Sequence, residues 1–466
     1  MSFSRRAFLG AAATTVAMGA FARVASAQST YANEIVGYGE LIPDPLGVFD
    51  LPEGFSYRVI SQAGETMSDG LVVPHKHDGM GAFALGRDKV ILVRNHELKP
   101  SDPNLGAAGA GRRLAERLDA AKAYDTDRAG RPLPGGTTTL VYDLRRQRLE
   151  RQHLSLVGTA VNCAGGATPW GSWLTCEESV LRAGEQSGKS HGWVFEVPSR
   201  FRGLVDPVPL TGLGRFKHEA ACVDPRTGVV YLTEDEGESL FYRFLPASPG
   251  ELHKGGRLQA LGFRDAPEGA DSRNWSEVVW RQGDRKQAVW IDLDGTDNPN
   301  NDLAQRGRQA GAVWFARGEG IHWAGDHLYF TCTSGGEKKL GQVVRYTPSA
   351  HEGRPEERDA PGVVDLFVEA TNPAVMEYCD NLTISPWGHL FVCEDKQVGV
   401  NHMKVITPEG KVFTFGRNAL PLERPGGSNT ELAGVCFSPD GTTLFVNLYL
   451  PGMTLAITGP WSRIRS

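Results

Sequence analysis

Six stretches of the chain repeat one plan, and that repetition limits the fold more than any other feature. Each runs from a polar or acidic residue into a short apolar run, turns, and ends a second apolar run on another polar or acidic group. They span 78–97, 162–178, 218–236, 319–336, 380–395 and 431–449. Turn signals such as "DPRTG", "SPWG" and "SPDG" sit midway, so each stretch reads as a β-hairpin. Third-strand patterns follow several of them: "GWVFEV" (192–197), "SLFYRFL" (239–245) and "GQVVRYT" (341–347). Repeated units of three to four strands around an axis predict an all-β fold, a β-propeller of six blades. The 56 glycines and 28 prolines among 466 residues supply the turns that so many short strands require.

A single propeller domain is expected over residues 28–466, with two insertions. Residues 100–130 contain "RRLAERLDAAKAY", whose spacing predicts a surface helix. Residues 250–310 are polar and read as loop. Within them Asp292, Asp294 and Asp297 of "DLDGTD" crowd together as in a calcium loop, but the glycine comes too early for an EF-hand, and a solvated acidic turn is the favoured reading over calcium.

Residues 1–27 carry a targeting pattern. Arg5 and Arg6 precede a mildly apolar stretch, and Ala25, Ser26 and Ala27 offer small residues for cleavage, which reads as a twin-arginine export signal. No other stretch approaches the roughly 18 apolar residues of a membrane span. A soluble, monomeric periplasmic or secreted protein is expected, with the twin-arginine translocase as its partner during export. The formal net charge of −6, without a basic block, gives no footprint for nucleic acid.

The hairpin ends bring the chemistry together. A residue opening the first strand and one closing the second reach the same sheet edge. Asp78, Asn95, His96, Glu97, Asn162, Cys163, Cys176, Glu177, His218, Glu219, Glu234, Asp235, Glu319, Asp380, Asn381, Glu394, Asp395 and Glu431 occupy such places. So many carboxylates around one axis repel one another unless cations neutralise them. Oxygen donors suit calcium, whereas a thiolate among carboxylates calls for iron or zinc. The strongest candidates are Cys176, Glu219, Glu319 and Glu431, on equivalent strand edges. Of the seven cysteines, Cys222, Cys332 and Cys436 read as buried small hydrophobes. Arg317 lies two residues before Glu319, so in an extended segment both face one way, and a guanidinium beside cations suits a phosphate oxyanion.

Together the stretches "VRNHE", "NCAGG", "TPWGSWLTCEE", "KHEAACVDPRTGVVYLTED", "FARGEG", "DNLTISPWGHLFVCED" and "ELAGVCFSPDGTTLFVNLYLPGMTLAITGPW" resemble the PhoX-type alkaline phosphatases, over nearly the whole mature chain. The resemblance implies an exported propeller whose axial iron and calcium ions hydrolyse small phosphomonoesters. It makes Cys176 the cluster cysteine, Glu219 and Glu319 ligands, and Arg317 the phosphate contact, with Asp78, Glu97, Glu177, Asp380, Glu394 and Glu431 matched more loosely. The chain is similar to a compact branch of that family. Two other readings stay open at this point: a calcium-dependent propeller lactonase or phosphotriesterase, which has no use for Cys176, and a non-catalytic periplasmic binding propeller.

Overall fold

The computed structural model describes residues 31–423 and 427–464; the expected export signal lies outside them. Six strands open the six repeated hairpins: His77–Leu85, Asn162–Ala167, His218–Val223, Gly318–Ala324, Cys379–Ile384 and Leu432–Phe437. They stand side by side in a closed ring, and further antiparallel strands run outward from each, which is the architecture of a β-propeller.

Local chemistry explains the turns. In "SPDG", Ser438 Oγ donates to Asp440 at 2.6 Å and accepts from Thr443 N at 3.0 Å. Ser385 does the same for His389 N at 2.9 Å in "SPWG". Such side-chain bonds replace backbone ones across a tight reversal.

Ring closure depends on the N-terminal segment. Ser56–Gln62 pairs with Met453–Thr458 as the outer strand of the last blade, and Phe49–Pro52 pairs with Val412–Asn418 in the blade before it. Between blades the packing is aromatic and aliphatic; Phe241 and Phe330 stack at 4.2 Å from neighbouring blades. Each fully buried ring of this kind contributes about 1.5–3 kcal/mol. Around the axis the blades come closer still. A Cβ on Gly79 would lie 2.4 Å from Ala164 Cα, and one on Gly320 2.7 Å from Leu382 N, so only glycine permits those contacts.

Two expectations need correction, and the acidic turn takes the solvated form. Hydrogen bonding makes five sheets rather than six, because Arg285–Asp292 pairs with both Gly256–Phe263 and Val363–Glu369 and welds the third and fourth blades into one nine-stranded sheet. Those two strands lie within 250–310, where the charged, partly exposed residues of Arg285–Asp292 hide the strand pattern, while Gly256–Phe263 is buried from Leu258 onward. Residues 110–122 form three separate turns of 3-10 helix rather than one helix. Gly109 and Gly111 take positive φ there, and Leu118 and Asp119 are extended, so Leu114 and Leu118 can both pack against the cluster around Met67 and Leu71. The acidic turn carries no group of ligands: Asp292 accepts from Arg257 and Gln259, Asp294 pairs with Arg306, and Asp292, Asp294 and Asp297 are all exposed.

Candidate metal centre

Every innermost strand carries a β-bulge near its start. Pairing slips between His77 and Met80, Asn162 and Gly165, His218 and Ala221, Gly318 and Ile321, Cys379 and Leu382, and Ala433 and Cys436. A bulge re-aims the side chains it contains. The first residues inside these six bulges are Asp78, Cys163, Glu219, Glu319, Asp380 and Gly434. Five of the six carry a group that binds metals, and they meet on the axis. Cys163 Sγ lies 3.7 Å from Asp78 Oδ2. Ligand atoms of Cys163, Glu178 and Glu219 fall within 4.8 Å of one another, as do those of Glu219, Glu319 and Asp380.

A second ring sits where each second strand ends. The amides of Glu97, Glu178, Asp235, Thr333, Asp395 and Tyr449 donate to the carbonyls of Lys76, Val161, Lys217, Arg317, Tyr378 and Glu431, six equivalent bonds in six blades. Four of the accepting residues, Lys76, Val161, Arg317 and Tyr378, hold φ of 50–54°. That left-handed conformation costs free energy for any residue with a Cβ, most of all for β-branched Val161. Its recurrence at one rim is the mark of a built site.

Burial and mutual repulsion set the protonation of this rim. Glu219 is 1% exposed, and among the described residues no nitrogen or hydroxyl donates to either carboxylate oxygen, the Cys163 thiol being the one donor that faces it. Desolvation, then Asp380, Glu178 and Asp78, push its pKa well above the ordinary range. Desolvation likewise raises Glu319, with Asp235 and Asp380 adding to it. Asp380 rises to about 7 and Glu178 to about 8, burial again leading. The Cys163 thiol is held protonated by burial and by Asp78. Burial alone would lower Arg317, but Glu319 and Asp235 raise it. Its Nε and Nη2 donate to Asp235 at 2.8 and 3.0 Å, and Nη2 also reaches Glu319 at 2.7 Å. Tyr449 donates from its hydroxyl to Glu97.

The structure thus brings Asp78, Glu97, Glu219, Arg317, Glu319 and Asp380 to one place, with Glu431 beside Tyr449 at the rim. Three expected ligands lie elsewhere. Cys176 packs between Leu174, Val194 and Leu232 in the apolar interior between blades, fully buried. Glu177 accepts from the amides of Ala160, Gly192 and Trp193 and from His191 at 2.7 Å. Glu394 is enclosed by His402 at 3.0 Å and by Lys396 and Lys404, so that despite burial these partners hold its pKa down to about 2. These two carboxylates are satisfied inside their blades. Cys163 and Glu178 stand in the places expected of Cys176 and Glu177. The missed signal is the shared position: Asp78, Cys163, Glu219, Glu319 and Asp380 all occupy the first or second place of the repeats. All seven cysteines are free thiols.

A family model, Alkaline phosphatase PhoX, matches residues 36–452. The chain belongs to this PhoX family. Its class is that of the phosphoric monoester hydrolases, and its fold is that of a β-propeller. The solved Pseudomonas fluorescens PhoX, in complex with vanadate, a transition state analogue, superposes with a TM-score of 0.64 at 20% identity, covering 93% of this chain and 99% of that one. A Xanthomonas campestris gluconolactonase, XC5397, follows at a TM-score of 0.42 and 9% identity, covering 86% of this chain and 98% of its own. No curated protein matches by sequence.

Proposed function

We propose that this PhoX-family phosphatase is a metal-dependent phosphomonoester hydrolase exported to the periplasm. The observation that carries the reading is Glu219: a buried carboxylate that no nitrogen or hydroxyl among the described residues satisfies, shared by two triads of ligands. An unpartnered buried carboxylate is costly in a folded protein, and cations are what such a site lacks. The donor set fits the family's iron and calcium. Cys163 with Glu178 and Glu219 offers sulfur beside oxygen, for iron; the carboxylates alone, Glu319 and Asp380 with Glu219, suit calcium, and Asp78 and Glu97 flank both. When bound, such ions supply Lewis acidity toward a phosphoryl group.

The chain's own residues do the rest. Asp235 and Glu319 hold the Arg317 guanidinium by Nε and Nη2, and Nη1 makes no hydrogen bond among the described residues. That nitrogen is a donor for a phosphate oxygen of a small phosphorylated substrate. The left-handed backbone of Arg317 fixes where the side chain leaves the rim, so little motion is needed when charge develops.

Export rests on Arg5 and Arg6 and the small residues before position 28, which make the twin-arginine translocase the partner during export. No helix among the described residues is long and apolar enough to cross a membrane. A monomer completes the proposal, since each ligand comes from this one chain.

The test is elemental mass spectrometry on protein exported by its own signal, with turnover of p-nitrophenyl phosphate, for wild type and Glu219→Gln. Iron and calcium with turnover, all lost in the variant, support the reading. Calcium alone without turnover overturns metal-dependent phosphatase action and leaves a binding propeller or a hydrolase of another ester.

A further inference from the structure

Beside the axial rim lies a cavity of about 760 Å³ that none of the preceding chemistry uses. Its inner end is formed by Glu97 and Glu178, which places it against the candidate metal centre. Its outer end carries Lys99 and Arg182, and Lys217 stands between. Lys217 is paired with Glu236 at 2.6 Å. Lys99 and Arg182 are exposed, and neither cation has an ion-pair partner among the described residues. The one carboxylate of the outer wall, Glu185, is turned to the Arg182 amide at 3.1 Å. Ser101, Ser179, Gln186 and Asn301 add polar groups to the remaining surface, beside the aliphatic Val161, Val180 and Leu181.

We infer that this groove holds the alcohol half of the substrate, and that it selects phosphomonoesters whose alcohol is small, hydroxylated and itself anionic. The inference rests on the phosphatase reading and deepens it. With the phosphoryl group at the axial mouth, the ester's alcohol extends along a cavity continuous with Glu97 and Glu178. A carboxylate or second phosphate at its far end meets Lys99 and Arg182, while its hydroxyls meet serine, asparagine and glutamine side chains. An aromatic alcohol gains little there, because the groove offers no aromatic wall. Opposite charge at exposed positions contributes modestly per pair, so two cations together give a preference of about tenfold.

The experiment compares phosphoglycerate with glycerol phosphate on the metal-loaded exported protein; the two differ in a terminal carboxylate. The ratio of their kcat/KM values is expected near ten, falling toward one in the double variant Lys99→Ala, Arg182→Ala, and falling with added salt. Saturation-transfer NMR with glycerate, which carries no phosphate, reads the groove without turnover: transfer is expected in wild type and lost in the double variant. Equal kcat/KM for both esters with p-nitrophenyl phosphate still hydrolysed, or an unchanged ratio in the variant, overturns the groove assignment and leaves the phosphatase standing. Failure to turn over any of the three esters overturns both.

Discussion

Two sets of buried acids lie on the inner strands around one axis, and they behave in opposite ways. Glu394 is as buried as Glu219, yet its pKa falls to about 2 while that of Glu219 rises. Glu177, fully buried, takes three amides and a histidine. The difference lies in partners, since desolvation acts on both sets alike. A structural carboxylate is recognised by the donors folded around it; Glu219 is set apart by carboxylate neighbours where Glu177 and Glu394 have amides, histidines and lysines. Burial by itself separates nothing here.

The sharpest way to break this comparison is to neutralise one acid of each set. Glu219→Gln is expected to lower kcat/KM by roughly a thousandfold, the scale of several kcal/mol of transition-state stabilisation. The metal-free form should keep its thermal midpoint or gain, because the change relieves repulsion from Asp380, Glu178 and Asp78. Retained activity and metal in this variant would erase the distinction. Glu394→Ala should do the reverse: it strands Lys396 and Lys404 in the interior and costs about 3–5 kcal/mol by urea titration, with metal content per folded molecule unchanged. A stable Glu394→Ala lacking metal would move Glu394 into the other set.

How far the sequence reveals this division depends on parity. The hairpin repeats are legible because apolar runs and turn residues recur, and they lead to the propeller and to Asp78, Glu219, Glu319 and Asp380. They do not tell which of two adjacent acids ends on the axis. Glu177 and Glu178 follow one another at a strand end, and neighbours in a strand face opposite ways. The bulge at each first strand shifts the count once more, and a bulge leaves no mark in an alternating pattern. Hence Glu97 lies at the rim beside Asp78, whereas Glu177 and Glu394 are each one residue from Glu178 and Asp395. The weld between the third and fourth blades is hidden for another reason: Arg285–Asp292, the strand that makes it, is charged and partly exposed along most of its length, and such a strand reads as loop.

The partnered set also has its own pH signature. His191 touches Glu177 at 2.7 Å and Asp125 at 3.2 Å, and although burial disfavours its charge, these two raise its pKa to about 9. A histidine raised above its unfolded value of 6.5 contributes stability that is complete below about 6.5 and is lost as pH rises through 9. The loss amounts to roughly 3 kcal/mol at most. Urea midpoints at pH 6, 7.5 and 9 should therefore fall in wild type and flatten in His191→Gln. A wild-type profile already flat across that range would mean that the histidine is neutral and that Glu177 is held by amides alone.

The smallest expected effect separates the two cysteines. Cys176 fills apolar space between Leu174, Val194 and Leu232, so Cys176→Ala removes one buried atom and costs about 1 kcal/mol. Metal content and kcat/KM should stay at wild-type values. Cys163→Ala costs still less stability, because its thiol faces carboxylates at the axial mouth rather than apolar packing. It should nonetheless remove iron and, with it, any thiolate-to-metal absorption band. The two substitutions are chemically identical and lie in one hairpin, so unequal folding effects or general damage cannot produce opposite outcomes for metal. If Cys176→Ala loses the iron and Cys163→Ala keeps it, the ligand is the deeper thiol, and the bulge ceases to be the element that selects axial residues.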